Sequence, residues 1–274
     1  GERDEAAAAR IKKIGATYVG ISLDGIGETN DLFRGKKGAF DGAVRGFRNC
    51  TAVGQKVGLR LTLTRRNCAD LHDIFDFIQN EGIQRACFYH LVYTGRGNAT
   101  DKLTPAEVRR AMDIILERTL AFHERGMNKE ILTVDNHADN VYIYLKLLER
   151  NPARAEEVYQ LMKWNGGGAN SSGIGIANID TQGNVHPDQF WQSATLGNVK
   201  QRPFSEIWSD NSIPLLAQLR NRLPLLKGRC GTCRFKEICG GSFRVRALQV
   251  HGDPWAPDPA CYLSDEEIGD AIAA

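Results

Sequence analysis

The chain has no run of roughly eighteen apolar residues, so no segment is long enough for a membrane-spanning helix. Its opening, Gly1-Glu2-Arg3-Asp4-Glu5, contains no apolar core of a secretory signal. An excess of one charge is missing as well: 35 Lys and Arg against 33 Asp and Glu leave +2, too little to imply a nucleic-acid partner. Also absent is an even, closely spaced cysteine framework. The seven cysteines are odd in number, and Cys50, Cys68 and Cys87 lie far apart in regular-looking segments. The expectation is a reducing compartment, the cytoplasm, and no membrane. What remains is an ordinary globular composition, 42% hydrophobic and 25% charged over 274 residues, with room for one large domain or a medium and a small one.

Helices and strands alternate in the first half. Glu5 to Ile14 is alanine-rich and helical. Thr17 to Asp24 alternates with period two, placing Thr17, Val19, Ile21 and Leu23 on one face and Gly20, Ser22 and Asp24 on the other. Val57 to Thr64 repeats the pattern, its polar face being Gly58, Arg60, Thr62 and Thr64. Ala86 to Tyr93 reads as a third strand and Ile131 to Val134 as a fourth. Between them Phe40, Ala43, Val44 and Phe47, then Leu71, Ile74, Phe75 and Ile78, then Val108, Ala111, Met112, Ile115 and Phe122 are spaced as buried helical stripes. Thr104-Pro105-Ala106-Glu107 has the form of a capping box, and Asn151-Pro152 opens a helix ending near Met162. Short strands separated by such helices predict an α/β fold of parallel βα units, with ligands beyond the carboxyl ends of the strands. Those ends carry Ser22, Asp24, Thr64, Asn67 and Gly95 to Gly97. Arg60, on an interior face, needs a carboxylate from the protein or from a ligand, and both options stay open.

After Trp164 the character changes. The stretch Gly166-Gly167-Gly168-Ala169-Asn170-Ser171-Ser172-Gly173 is too glycine-rich to be regular, and divides a domain of residues 1–165 from one of residues 166–274. In the second, Ile174 to Ile179 and Asn184 to His186 read as a hairpin, Phe204 to Trp208 and Leu215 to Leu219 as short helices, and the residues beyond Cys261 as a short acidic helix. Cys230, Cys233 and Cys239 form C-x2-C-x5-C, with Cys261 further on. Thiolates at this spacing can converge on one soft metal centre, zinc or iron-sulfur; a disulfide fits a reducing compartment poorly. Nine basic residues against three acidic ones from Arg202 to Arg246 suit an anionic cluster or a carboxylate-rich ligand, or form a solvated basic face.

Two separated parts of the chain resemble one known family. Tyr18 to Gly25, Leu32-Phe33-Arg34-Gly35, Thr62 to Asn67 and Gly95-Arg96-Gly97 resemble the later strands of the radical S-adenosylmethionine (radical SAM) partial barrel. Gly183-Asn184-Val185, Leu196-Gly197-Asn198-Val199, Phe204 to Trp208 and the four cysteines resemble its SPASM/twitch domain. The resemblance implies the C-terminal half of a partial (β/α)6 barrel followed by a small α+β iron-sulfur domain. Trp164 to Gly168 and Val185-His186-Pro187-Asp188-Gln189-Phe190-Trp191 are most similar to the branch of the family that serves heme d1 biosynthesis. That implies radical removal of propionate side chains from didecarboxysiroheme, with flavodoxin or ferredoxin as electron donor.

On this resemblance Cys230, Cys233, Cys239 and Cys261 hold one auxiliary 4Fe-4S cluster that accepts an electron. Ser22, Asp24, Arg34, Thr64, Asn67 and Gly95 contribute to binding S-adenosylmethionine, while Arg60, His186 and the basic Arg202 to Arg246 region are candidates for the tetrapyrrole substrate: His186 at its iron, the arginines at its carboxylates. Family members with two auxiliary clusters have further cysteines where Asp188, Arg202 and Phe243 stand here. The C-x3-C-x2-C motif for a second, SAM-cleaving 4Fe-4S cluster is absent from the sequence and is expected before Gly1, so the chain as given is not expected to cleave SAM. Competing readings are a peptide-modifying maturase of the same family and a zinc-binding module without redox function. Ser22 and Asp24 could equally be strand-end turn formers, and His186 simply hydrogen-bonded.

Overall fold

A computed structural model describes residues 2–93, 101–166 and 172–269. Gly95 and residues 167–171 of the glycine-rich stretch lie outside them. The described residues form two compact units, one of residues 2–91 and 101–134, the other of residues 92–93, 135–166 and 172–269.

The first unit runs α1 (Glu2–Lys13), β1 (Val19–Ser22), α2 (Glu28–Arg34), α3 (Ala39–Ala52), β2 (Val57–Leu63), α4 (Leu71–Asn80), β3 (Arg85–His90), α5 (Pro105–Glu124) and β4 (Glu130–Val134). The four strands pair in parallel and in chain order, as the patterning predicts. Parallel neighbours need a crossover, which the helices supply. Leu59, Leu61, Leu63 and Phe88 of the strands are buried, as are Ile74, Phe75 and Ile78 of α4 and Met112, Ile115 and Phe122 of α5. Phe75 stacks on Phe88 with ring centres 5.3 Å apart. Each such side chain contributes about 1.5–3 kcal/mol when fully buried, so this apolar layer holds the sheet. The capping box forms: Glu107 N donates to Thr104 Oγ1 at 3.2 Å and Thr104 N to Glu107 Oε2 at 2.7 Å. On the other sheet face, register aligns Gly20, Gly58, Arg85 and Glu130 in one row and Ser22, Arg60, Cys87 and Leu132 in the next.

The second unit contains α6 (Ala138–Arg150), α7 (Pro152–Trp164), β5 (Asn178–Ile179), β6 (Asn184–His186), β7 (Gly197–Asn198), α8 (Phe204–Ser209), α9 (Pro214–Arg220), α10 (Gly228–Thr232), α11 (Lys236–Cys239), α12 (Arg244–His251) and α13 (Asp265–Ile268). The hairpin has a third strand, β7, and its first strand is shorter than expected. Residues 174–177 leave the ladder because Gly173 N donates to Ile176 O at 3.2 Å and to Pro187 O at 2.9 Å, closing a loop of its own. Val185, Leu196, Ile207 and Leu216 pack the sheet against α8 and α9. Four of its described helices, α6, α10, α11 and α12, have no counterpart in the patterning. In α12 Arg244, Val245, Arg246 and Ala247 are all buried, so no polar stripe marks the helix.

Candidate functional site

Cys230 sits on α10, Cys233 just beyond it, Cys239 at the end of α11, and Cys261 on the loop after α12. The tight turn between the first two depends on Gly231, where a Cβ would stand 2.5 Å from Leu226 O. Gly240 and Gly241, with φ of 59° and 74°, then reverse the chain after Cys239. Cys261 is delivered by a buried anchor. Its N–H donates to Asp258 O at 3.1 Å, and the Asp258 carboxylate takes Arg246 Nε at 2.8 Å and Nη2 at 2.7 Å. Phe243 N (3.2 Å) and Ala260 N (3.0 Å) also donate to that carboxylate. The four cysteines thereby line one cavity, together with Ala138, Arg229, Lys236 and Asp258. None of the seven cysteines is disulfide-bonded.

The chemistry of this donor set suits a thiolate-bound metal centre. Burial pushes the Cys261 thiol up to about 11 and raises Cys233 and Cys239, with nearby Cys261 and Cys230 adding to the effect at Cys239. Thiols held this way ionise when a metal supplies the compensating charge. A zinc ion would gather four sulfurs about 2.3 Å from one point and so about 3.8 Å apart. Among the described residues no three His, Cys, Asp or Glu side chains are gathered for a single metal ion. The four thiols that line the cavity could each take one corner of a cluster. Phe235 N donates to Cys233 Sγ at 3.4 Å, and Arg229 lies within electrostatic reach of Cys261 and Cys230.

The three positions where the resemblance to two-cluster members would lead one to look for further cysteines are filled otherwise. Asp188, 1% exposed, accepts from the Ser172 hydroxyl, from Phe190 N at 2.7 Å and from Trp191 N at 2.8 Å. Arg202 pairs with Asp210 at 2.9 Å. Phe243 packs with Val92, Trp191, Leu219 and Val245 and meets Phe190 edge-on at 5.7 Å. Polar capping and an apolar core occupy these sites.

The basic stretch from Arg202 to Arg246 is not a solvated face throughout, because Arg222, Arg244 and Arg246 are buried. Several of its arginines are engaged within the protein. Arg246 holds Asp258, Arg244 Nη1 donates to Pro254 O (3.0 Å) and Ala256 O (2.7 Å), and Arg220 donates to Asn211 Oδ1 (3.0 Å) and Trp208 O. His137, at the N-cap of α6, touches Cys239 O through Nδ1 at 3.2 Å. Burial, followed by the charge of Arg222, lowers it to about 4. Neither His137 nor the Arg246–Asp258 pair carries a spacing that the sequence could have betrayed. His186 is 2% exposed, with Nδ1 2.7 Å from Ala194 O and Nε2 3.3 Å from Asp180 Oδ2. Both ring nitrogens are engaged within the hairpin, which leaves neither for an iron.

In the first unit four of the strand-end candidates form one network. Asp24, 2% exposed, accepts from Thr62 N at 2.9 Å and pairs with Arg34. Burial raises its carboxyl, against the opposing pull of Thr62 N–H and Arg34. Asn67, fully buried, donates to Asp24 O at 3.1 Å and Thr62 O at 2.8 Å and accepts from Thr64 N at 2.9 Å. Asn30, absent from the sequence reading, accepts from Asp24 N at 2.8 Å. Asn67 and Thr64 thus brace the two strand ends, whereas Arg34 and Ser22 keep exposed surface. Ser22 lies on the exposed sheet face beside Arg60, its register partner.

No family model matches the chain. It is 54% identical over 271 residues to the Fe-coproporphyrin III synthase of Methanosarcina barkeri, covering 97% of this chain and 67% of that protein. It is 48% identical over 267 residues to the pre-heme d1 synthase of Dinoroseobacter shibae, covering 96% and 66%. The chain therefore spans about two thirds of the length of these curated relatives. Among solved structures, native anSMEcpe with bound AdoMet superposes with a TM-score of 0.66 at 15% identity, over 96% of this chain and 68% of that one, a likeness of fold.

Proposed function

The chain belongs to the radical SAM family that includes Fe-coproporphyrin III synthase and pre-heme d1 synthase, and from that premise we propose that it acts on the carboxylated side chains of an iron tetrapyrrole. The finer reading is removal of propionate side chains from didecarboxysiroheme. The observation that carries it is the four-cysteine cavity of the second unit, in a chain whose other cluster positions, Asp188, Arg202 and Phe243, are closed by hydrogen bonds, an ion pair and packing. Cys230, Cys233, Cys239 and Cys261 would hold one auxiliary 4Fe-4S cluster. When bound, S-adenosylmethionine with its own 4Fe-4S cluster supplies the hydrogen-abstracting radical, and the auxiliary cluster supplies a one-electron sink.

The residues of the chain orient and shield. Full ligation by four cysteines leaves no corner for substrate, which suits electron relay. The buried Asp258–Arg246 pair fixes the loop that brings Cys261. Arg34, Asp24 and Ser22 stand at the strand end where the S-adenosylmethionine ribose and carboxylate would lie, with Thr64 and Asn67 bracing that end, and Gly95 belongs to the same reading. Arg60 faces the open side of the sheet as the contact for a substrate carboxylate.

The test joins the chain to a C-x3-C-x2-C segment of the family, reconstitutes it anaerobically with iron and sulfide, and supplies S-adenosylmethionine, a low-potential reductant and didecarboxysiroheme. Products lacking propionates, formed together with 5'-deoxyadenosine, support the proposal. Loss of other side chains would correct its finer part; an unchanged tetrapyrrole beside a modified peptide substrate would sink it.

A further inference from the structure

We infer that Arg60 and Tyr89 form a preorganised clamp for a single carboxylate on the open face of the parallel sheet, in which Arg60 makes the contact and Tyr89 positions it. The inference deepens the tetrapyrrole reading and rests on it for the identity of the ligand.

Two arginines on this face are built alike and end differently. Arg85 lies over the Tyr18 ring, 5.1 Å from its centre, and reaches Glu130 at 3.3 Å, a carboxylate that also takes Lys56 at 2.5 Å. Its charge is answered within the protein. Arg60 lies over the Tyr89 ring at 4.9 Å and donates from Nη2 to the Tyr89 hydroxyl at 2.5 Å, but among the described residues it has no acidic partner. Of the five N–H donors of a guanidinium, one is engaged among the described residues. A stacked arginine with open donors presents the planar fork that matches a carboxylate.

The floor of the sheet is cut to hold the arm in place. A Cβ on Gly20 would stand 2.6 Å from Arg60 Cδ, so only glycine lets the arginine stem lie flat across β1. Gly58 does the same for the Tyr18 ring, where a Cβ would meet the hydroxyl at 2.6 Å. With its stem seated and its plane fixed by ring and hydroxyl, Arg60 loses little further freedom when a ligand arrives. A phosphate would call for a second free cation. The neighbouring Arg85 and Lys56 both already face Glu130, which favours a single carboxylate.

The experiment titrates the chain with iron coproporphyrin, which carries free propionates, and with its tetramethyl ester, following Soret absorbance. Wild type is expected to prefer the acid by about ten-fold, the equivalent of about 1.4 kcal/mol. Arg60→Gln should bring the two within about two-fold, while Arg60→Lys and Tyr89→Phe give intermediate ratios, since charge or fork geometry alone survives. Circular dichroism confirms that each variant is folded. Equal binding of acid and ester by wild type, or an unchanged preference in folded Arg60→Gln, overturns the clamp. A second readout separates its failure from that of the tetrapyrrole reading: the Arg60 Nε–H resonance is followed during addition of sodium propionate or sodium chloride. If neither porphyrin binds but propionate alone shifts that resonance saturably, the clamp stands and the tetrapyrrole reading falls. If propionate leaves it unmoved, the clamp falls.

Discussion

Replacing Asp258 with asparagine should be among the most costly single changes near the cysteine cavity. Arg246 is 0% exposed, and Asp258 supplies the nearest counter-charge through two hydrogen bonds at 2.7 and 2.8 Å; its other contacts include Asp135 O at 3.0 Å and Ser242 Oγ at 3.4 Å. Removing the carboxylate strands a buried guanidinium, which costs about 3–5 kcal/mol. At about 2–4 °C per kcal/mol for domains of 150–250 residues, the thermal midpoint should fall by about 6–20 °C. The same pair sets an acid limit. Burial opposes the Asp258 charge, but the Arg246 guanidinium outweighs it and holds the carboxyl down to about 2, so its contribution is fully present above about pH 4 and is lost as pH falls through 2. Circular dichroism melts at neutral pH, with iron content after reconstitution, provide the assay, since the Asp258 loop also carries Cys261. The double variant Arg246→Met with Asp258→Leu should recover most of the loss, because no charge is then left buried. A folded Asp258→Asn variant melting within about 2 °C of wild type would refute the reasoning.

Substituting serine for Cys230, Cys233, Cys239 or Cys261 should cut reconstituted iron well below the wild-type level, whereas serine at Cys50, Cys68 or Cys87 should not, as metal analysis will show. Phe243→Cys alone should add no iron, because Asp188 and Arg202 keep the neighbouring positions non-ligating and the Phe190–Trp191 packing fills the volume. Asn67→Ala should lower stability by about 1–3 kcal/mol in urea unfolding, since Thr64 N and the Asp24 and Thr62 carbonyls would each lose a buried partner.

The parallel sheet was readable because each strand keeps one continuous apolar face. Val57, Leu59, Leu61 and Leu63 alternate with polar residues, and the helices of the first unit bury stripes at regular spacing. Legibility ends where burial is not apolar. Helix α12 puts Arg244 and Arg246 into the interior, so its pattern resembles that of a solvated basic segment, and only the long-range partners Asp258, Pro254 and Ala256 explain it. Helix α6 begins without proline or a serine-type cap. Asn136 does that work two residues upstream, accepting from Ala138 N at 3.1 Å.

The sites divide along the same line. Cysteine spacing identifies a ligand set without any structure, because short-range geometry limits where three thiols can point. Arg60 was legible as a question: an arginine on an inward face must be answered by a carboxylate, and nothing in the local sequence says whose. The answer depends on residues separated from it by whole βα units. Glu130 sits opposite Arg85, not Arg60, because β3 and β4 pair Arg85 with Glu130 while β2 and β3 pair Arg60 with Cys87. One register step therefore decides which arginine is neutralised at home and which keeps its donors open. A shift of β4 by two residues would bring Glu130 into the row of Cys87 and Arg60, and Arg85 rather than Arg60 would then keep its donors open.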